Sequence, residues 1–244
     1  MRYPLTIACL IFFAALTVSA QEPAYMEAAT HPGKNQFYAR TLSYVSEYEG
    51  DTLGNNEVSG KLKLVYGLRS NLAALLDVYF TDDIHETSCR LKYRLFKNDL
   101  GPLNTWMASV YAGVAFPGNS HVVFDNDEHP IMGLVSTAIL NRHGLNGQMQ
   151  WSESDETNII SINASYLYRI APSAYSSDTK GAWYVMIESL NDISDDSQNR
   201  SDAALGILYE AQRWAAEASL KLPLKQDWPI ETDHEIALGL RYLF

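Results

Sequence analysis

His234-Glu235-Ile236-Ala237-Leu238-Gly239-Leu240-Arg241-Tyr242-Leu243-Phe244 ends the chain, and the alternation inside it decides the fold. Ile236, Leu238, Leu240, Tyr242 and Phe244 share one face of an extended backbone, with Ala237, Gly239 and Arg241 on the other. A helix would scatter the apolar residues round its circumference; a strand lines them up at every second position. The same period runs upstream. Trp106, Ala108, Val110, Ala112, Val114 and Phe116 alternate with Ser109, Tyr111 and Gly113. Leu62, Leu64, Tyr66 and Leu68 alternate with Lys61, Lys63 and Arg69, and Cys89, Leu91, Tyr93 and Leu95 with Arg90, Lys92 and Arg94.

Segments of this kind number about twelve, near 36–48, 57–68, 71–81, 86–97, 104–116, 131–141, 145–153, 157–170, 182–191, 201–210, 213–223 and 234–244. Those at 36–48 and 131–141 alternate poorly. Residues 202–221 also hold good helix formers, among them Leu208, Glu210 and Glu217. They read better as two strands about Gln212-Arg213, because Trp214, Ala216, Ala218, Leu220 and Leu222 keep the two-residue period.

Composition narrows the class. The chain has 244 residues, 47% hydrophobic and 19% charged, which fits one folded unit and excludes bulk disorder. Eighteen basic against 29 acidic residues leave a net charge of −11, which argues against a nucleic-acid partner. After the N-terminus no apolar run reaches the roughly 18 residues of a membrane helix. Two cysteines are too few for a disulfide framework.

Arg2, an apolar stretch over residues 5–18 and the triplet Val18-Ser19-Ala20 read as an export signal cleaved before Gln21. Residues 1–20 are then a signal peptide. Residues 21–35, with Pro23, Pro32 and Gly33, read as a flexible extension, and residues 36–244 as the folded barrel.

A membrane barrel is favoured over a soluble sandwich by three patterns. Short breaks (69–71, 141–144, 212–213) alternate with longer ones (117–130, 191–201, 224–233), as periplasmic turns alternate with external loops; the breaks at 97–104 and 171–181 are longer than that rule prefers. The longer set carries the acids, for example Glu49 and Asp51, Asp125, Asp127 and Glu128, and Asp195 and Asp196. Aromatic residues including Tyr66, Tyr93, Trp106, Trp183, Trp214 and Tyr242 fall at one depth, with Phe80, Phe116 and Trp151 at the other, the spacing of interfacial girdles. The expected architecture is all-β: a single closed antiparallel transmembrane β-barrel of about twelve strands, with short periplasmic turns and longer acidic external loops.

The ending Gly239-Leu240-Arg241-Tyr242-Leu243-Phe244 resembles the closing strand of Gram-negative outer-membrane β-barrels, with its terminal phenylalanine and an aromatic two residues before. That resemblance implies an outer-membrane location, contact with its lipids and lipopolysaccharide, and recognition of Leu240, Tyr242 and Phe244 by the barrel-assembly machinery. The stretch Asn71-Leu72-Ala73-Ala74-Leu75-Leu76-Asp77-Val78-Tyr79-Phe80 and the later Leu222-Pro223-Leu224-Lys225 are similar to the putative MetA-pathway of phenol degradation family. That family is transporter-like, is loosely linked to aromatic compounds, and supplies no catalytic motif.

The inward faces supply the candidate chemistry. Lys61, Lys63, Arg69, Arg90, Lys92 and Arg94, with Arg40, make a basic wall. Glu188, Glu210 and Glu217, with Arg169 and Lys221 interspersed, make a more acidic one. Opposed walls of this kind select ions in a narrow passage, or pair with one another and close it. Tyr79, Tyr111, Tyr184 and Met186 also point inward and suit an aromatic or amphipathic solute.

The reading is a narrow porin-like channel or passive transporter for small polar, anionic or aromatic solutes. A lipid-modifying enzyme is the first alternative, since twelve strands resembles the outer-membrane phospholipase. No G-x-S-x-G motif is present, and none of the six histidines shares a strand face with a serine two residues away, so no catalytic residue is assigned. A structural or adhesive barrel with a plugged lumen is the second alternative. The loop His121-Val122-Val123-Phe124-Asp125-Asn126-Asp127-Glu128-His129 lacks the glycine and distal glutamate of a calcium loop; no metal or cofactor is expected.

Overall fold

The structure is a computed structural model and describes residues 22–48, 56–81, 84–101, 103–117, 128–154, 157–176, 178–196, 198–227 and 231–244. Residues 1–20, read from sequence as a signal peptide, residues 121–127 and the acidic residues Glu49, Asp51, Asp125 and Asp127 lie outside that set.

Twelve strands follow in chain order: β1 (Phe37–Tyr48), β2 (Asn56–Arg69), β3 (Leu72–Phe80), β4 (Ile84–Gly101), β5 (Asn104–Pro117), β6 (His129–Leu140), β7 (His143–Ser154), β8 (Thr157–Ala171), β9 (Gly181–Ser194), β10 (Asn199–Ala211), β11 (Trp214–Gln226) and β12 (Thr232–Leu243). Each pairs antiparallel with its neighbours in sequence, and β12 returns to β1, from Tyr38↔Leu243 to Glu47↔His234. The sheet closes on itself and so has no edge strand. The poorly alternating segments at 36–48 and 131–141 are strands, and 202–221 is two strands with Gln212-Arg213 as the turn. Cross-strand pairing overrides the helix propensity of its alanines and glutamates.

The apolar face looks outward. Leu238 is 57% exposed and Val110 36%, whereas Ala237 beside Leu238 is fully buried. A closed sheet with greasy side chains outside and charged ones inside is the inverse of a soluble protein, and hydrocarbon is the solvent that suits it. Aromatic rings cluster at the end carrying the short turns: Trp183 stacks near Tyr209 at 4.7 Å, Tyr209 near Trp214 at 5.2 Å, and Tyr242 near Phe244 at 4.8 Å. A charge placed on this outer face is therefore costly. Leu205→Arg, in mid-β10 and 55% exposed, is expected to destabilise the barrel by about 2–4 kcal/mol in reversible denaturation from lipid vesicles; Ile207→Leu serves as the neutral control.

The connections differ from the sequence reading in three places. The break at 97–104 shrinks to residues 102–103, because β4 and β5 continue past the girdle as a paired ribbon held by Asp99↔Thr105 and Gly101↔Asn104. The breaks at 191–201 and 224–233 shrink to 195–198 and 227–231, because polar residues such as Asp192, Arg200 and Gln226 belong to strands, Asp192 and Arg200 facing the lumen. Beyond the strands, Asp195 accepts hydrogen bonds from the side chain and backbone N–H of Asn158, which hold its carboxyl below the usual range. Pro223 lies within β11, opposite Asp202, where the β10–β11 register slips between Ser201 and Asp202 and the β11–β12 pairing has already ended at Lys221↔Glu235. A proline is tolerated where the ladder is already irregular.

Candidate functional site

The lumen is filled by the chain's own N-terminal segment. Asn35, in the left-handed region at φ 62°, turns the backbone at the short-turn end, and Asn35 N–H donates to Gly67 O at 2.7 Å. A Cβ at residue 67 would strike the Gly33 carbonyl, so glycine is what lets the segment pass over β2 there. From that turn residues 22–32 run inside the barrel, with Glu22, Ala24, Met26, Glu27, Ala29 and His31 all buried. This corrects the expectation of a flexible extension at 21–35. Proline and glycine mark irregular backbone, but irregular backbone is compatible with burial when the walls supply its hydrogen bonds.

The walls do supply them. Glu188 accepts the backbone N–H of Ala24 at 3.0 Å and of Tyr25 at 3.2 Å. Gln148 accepts from Glu27 N–H and Thr137 from Ala29 N–H, both at 2.9 Å. Carbonyls are met as well: Arg40 donates to Pro23 O at 2.7 Å, Lys92 to Ala28 O at 2.9 Å, and Ser109 to Ala29 O at 3.0 Å.

Charge completes the fit. Glu27 is ion-paired with Lys63, with Lys92 at 2.6 Å and with Arg90 at 3.8 Å. Glu22 pairs with Lys63, and at longer range with Arg40 at 3.7 Å and Arg241 at 3.8 Å. Two carboxylates of the segment thus occupy the space between the basic wall and the acidic wall. Removed from water, each of these ions depends on its partners.

Most residues expected in the lumen are there. Lys63, Arg90, Lys92, Glu188, Glu210 and Glu217 are buried, as are Tyr111 and Tyr184, while Lys61, Arg94 and Tyr79 are partly so. Glu217 holds Arg40 in a two-point pair at 2.7 and 2.8 Å, and Glu210 holds Arg241 at 2.6 Å. Arg69 is an exception: it lies exposed at the end of β2 beside the turn, beyond the ladder. Leu240, Tyr242 and Phe244 line the outside of the β12–β1 seam, where Phe244 N–H donates to Phe37 O at 2.8 Å.

The contribution of Glu22 and Glu27 is what the sequence reading missed. The signal was present: the inward faces of β2 and β4 carry five cations, Lys61, Lys63, Arg90, Lys92 and Arg94, and Asp77 is the one acid on β3 between them. The missing counter-charge lay in the nearest unassigned acids, on the segment set aside as a linker.

Two further features shape the lumen. Near the short-turn end, Arg169 is 2% exposed and stacks on the Tyr175 ring at 4.1 Å, while Tyr175 and Tyr184 share a hydrogen bond of 2.7 Å. The connection at 172–180 thereby folds a side chain back over the lumen. On the other side of the segment, toward the longer connections, lies an open cavity of about 320 Å³ with Tyr25 and Glu27 in its floor. Among the described residues one trio, Glu47, Asp233 and His234, has the spacing of a metal site, at the outer end of β1 and β12.

The fold is similar to that of solved outer-membrane channels and porins. An outer membrane channel from Pseudomonas putida F1 superposes with a TM-score of 0.54 at 13% identity, over 93% of this chain and 100% of that one. The NanC porin superposes with a TM-score of 0.55 at 8% identity, over 84% and 98%. The KdgM porin, in a structure described as a complex with disordered oligogalacturonate, does so with a TM-score of 0.50 at 6% identity, over 85% and 99%. The shared property is the fold. No family model matches the sequence, and the curated proteins contain no match.

Proposed function

We propose that this chain is a narrow porin-like channel of a Gram-negative outer membrane, a passive pathway for small polar or anionic solutes that residues 22–32 hold closed. The observation that carries the reading is the dense set of hydrogen bonds and ion pairs that the wall makes to the segment, beside which the apolar contacts are confined to small patches around Ala24, Tyr25 and Ala29. A barrel sealed for good has no use for such a wall, since well-packed apolar residues replace buried ion pairs at no loss of stability. A barrel that must hold water once the segment leaves does need it. With residues 22–32 withdrawn, Arg40, Lys63, Lys92, Glu188 and Glu217 would face a hydrated bore, and fixed charges of both signs are how such bores select solutes.

The fold shared with channels and porins supports the same reading. Aromatic solutes, implied by the narrower family resemblance, have Tyr44, Tyr79 and Tyr111 on the lumen side as their support. The apolar exterior fits contact with outer-membrane lipids, lipopolysaccharide would flank the end with the longer connections, and Leu240, Tyr242 and Phe244 would be read by the barrel-assembly machinery.

Planar-bilayer recording on refolded protein tests the proposal. Brief openings from a closed baseline are expected for the intact chain and sustained conductance for a form lacking residues 22–32. Silence of both forms at every salt concentration would reject it.

A further inference from the structure

The cavity beyond the segment has two poles. Lys61, on β2, is one of its cations and the least committed: its ammonium lies 3.8 Å from Asp77, a carboxylate already bonded to Arg90, and its side chain is 34% exposed to the cavity. Behind it, Arg90 is buried and its Nε has no hydrogen-bond partner among the described residues. The remaining cations of the cavity wall are engaged: Arg40 by Glu217, Lys63 by Glu22 and Glu27, Arg200 by Asp202 at 2.7 Å, and Lys221 by Glu235 at 2.9 Å.

The other wall is the reverse. Asp192, on β9, accepts a 2.6 Å hydrogen bond from the Ser161 hydroxyl, and Arg200, the residue opposite it on β10, gives its ion pair to Asp202 instead. Asp202, on β10, is 4% exposed; Arg200 occupies its Oδ2 at 2.7 Å, while its Oδ1 is buried with no hydrogen-bond partner among the described residues. In the ring of twelve, β10 is six places from β4 in either direction and β9 is five from β2, so the two poles stand across the lumen from each other. Between them the wall is neutral and polar, with Gln150, Ser161 and Asn163. Buried polar atoms left unpaired are costly and mark where a partner belongs.

We infer that this cavity is a binding site for a small zwitterionic solute with its two charges well separated, an amino-carboxylic acid or short peptide, whose carboxylate meets Lys61 and Arg90 and whose ammonium meets Asp192 and Asp202. A simple anion gains at the first pole but at the second faces two carboxylates with one cation, Arg200, already bonded to Asp202; a simple cation meets the converse. Only a molecule carrying both charges gains at both ends. Its volume of about 320 Å³ lies within the range of small-molecule sites. The assignment deepens the channel reading by naming its solute class, and rests on that reading only for how the solute arrives.

Calorimetric titration of the intact protein in detergent micelles separates the two ideas, because it requires no conductance. The probes are 6-aminohexanoate, hexanoate and hexylamine at neutral pH and low salt. Binding of 6-aminohexanoate is expected to be at least about tenfold tighter than that of either single-charge analogue, the factor that 1.4 kcal/mol supplies. Lys61→Gln should remove the preference over hexylamine, and Asp192→Asn the preference over hexanoate, with heat-modifiable gel mobility reporting that both variants still form the barrel. Equal binding of the three probes by the wild-type protein, or a preference that survives both substitutions, overturns the assignment. Selective binding in a protein that never conducts would uphold the site while rejecting the channel.

Discussion

Glu27→Gln is expected to release the segment and raise the open probability in bilayer recordings more than a hundredfold, the largest functional effect of any single substitution in the lumen. Glu27 is the shared counter-ion of Lys63, Lys92 and Arg90. Replacing it with a neutral isostere leaves Lys92, fully buried, with a carbonyl and an amide where it had a carboxylate. Breaking a buried pair by removing one partner costs about 3–5 kcal/mol, chiefly because the other charge is left uncompensated. That cost falls on the closed state alone, since in the open state the three cations are hydrated. A shift of that size moves a two-state equilibrium by more than two decades. The barrel itself should be untouched, because no pairing of β1 to β12 passes through Glu27. Hydrogen exchange gives an independent readout: the amides of Ala24, Tyr25, Glu27 and Ala29, bonded to wall side chains, should lose protection in Glu27→Gln while strand amides keep theirs. An unchanged open probability with unchanged protection would mean that backbone hydrogen bonds, and not charge, latch the segment.

The strands were legible from the sequence because a membrane barrel imposes its rule on every second residue, and outward positions such as Leu238 and Ile187 must be apolar whatever their neighbours do. The girdle was legible for the same reason. Connection lengths were less so, because a polar residue inside the lumen reads like a loop residue: Asp192 and Arg200 were assigned to a break and are inward members of β9 and β10. The segment at 22–32 was illegible to periodicity altogether. It has no repeating backbone, and its stabilisation comes from contacts more than a hundred residues away in sequence, such as Glu27 with Gln148 and Ala24 with Glu188. What did point to it was charge balance along β2 and β4, a property of the folded lumen rather than of any window of sequence.

The second large effect concerns closure. Leu240→Pro is expected to abolish the folded barrel, whereas Leu240→Val is expected to leave it intact. Leu240 is opposite Thr41 of β1 and Ala216 of β11, so it lies inside the ladder on both sides, 54% exposed to the membrane. Proline removes a ladder donor and disturbs the residue before it. In water such a loss is met by solvent; in hydrocarbon each unsatisfied backbone group costs several kcal/mol, and an opened seam exposes a row of them. The tolerated Pro223 shows the contrast, since it lies where the β10–β11 register already slips. Leu240 also belongs to the ending that the barrel-assembly machinery is proposed to read, so the experiment is best run without that machinery. Purified chains are refolded from urea into detergent micelles, and heat-modifiable mobility on gels is scored. If the residue matters only as a recognition signal, Leu240→Pro refolds as the wild type does and fails only in cells. If it matters to the seam, the variant fails in micelles as well. The pairing on both sides of Leu240 requires the second outcome, and normal refolding of Leu240→Pro in micelles would show that the seam does not depend on that position.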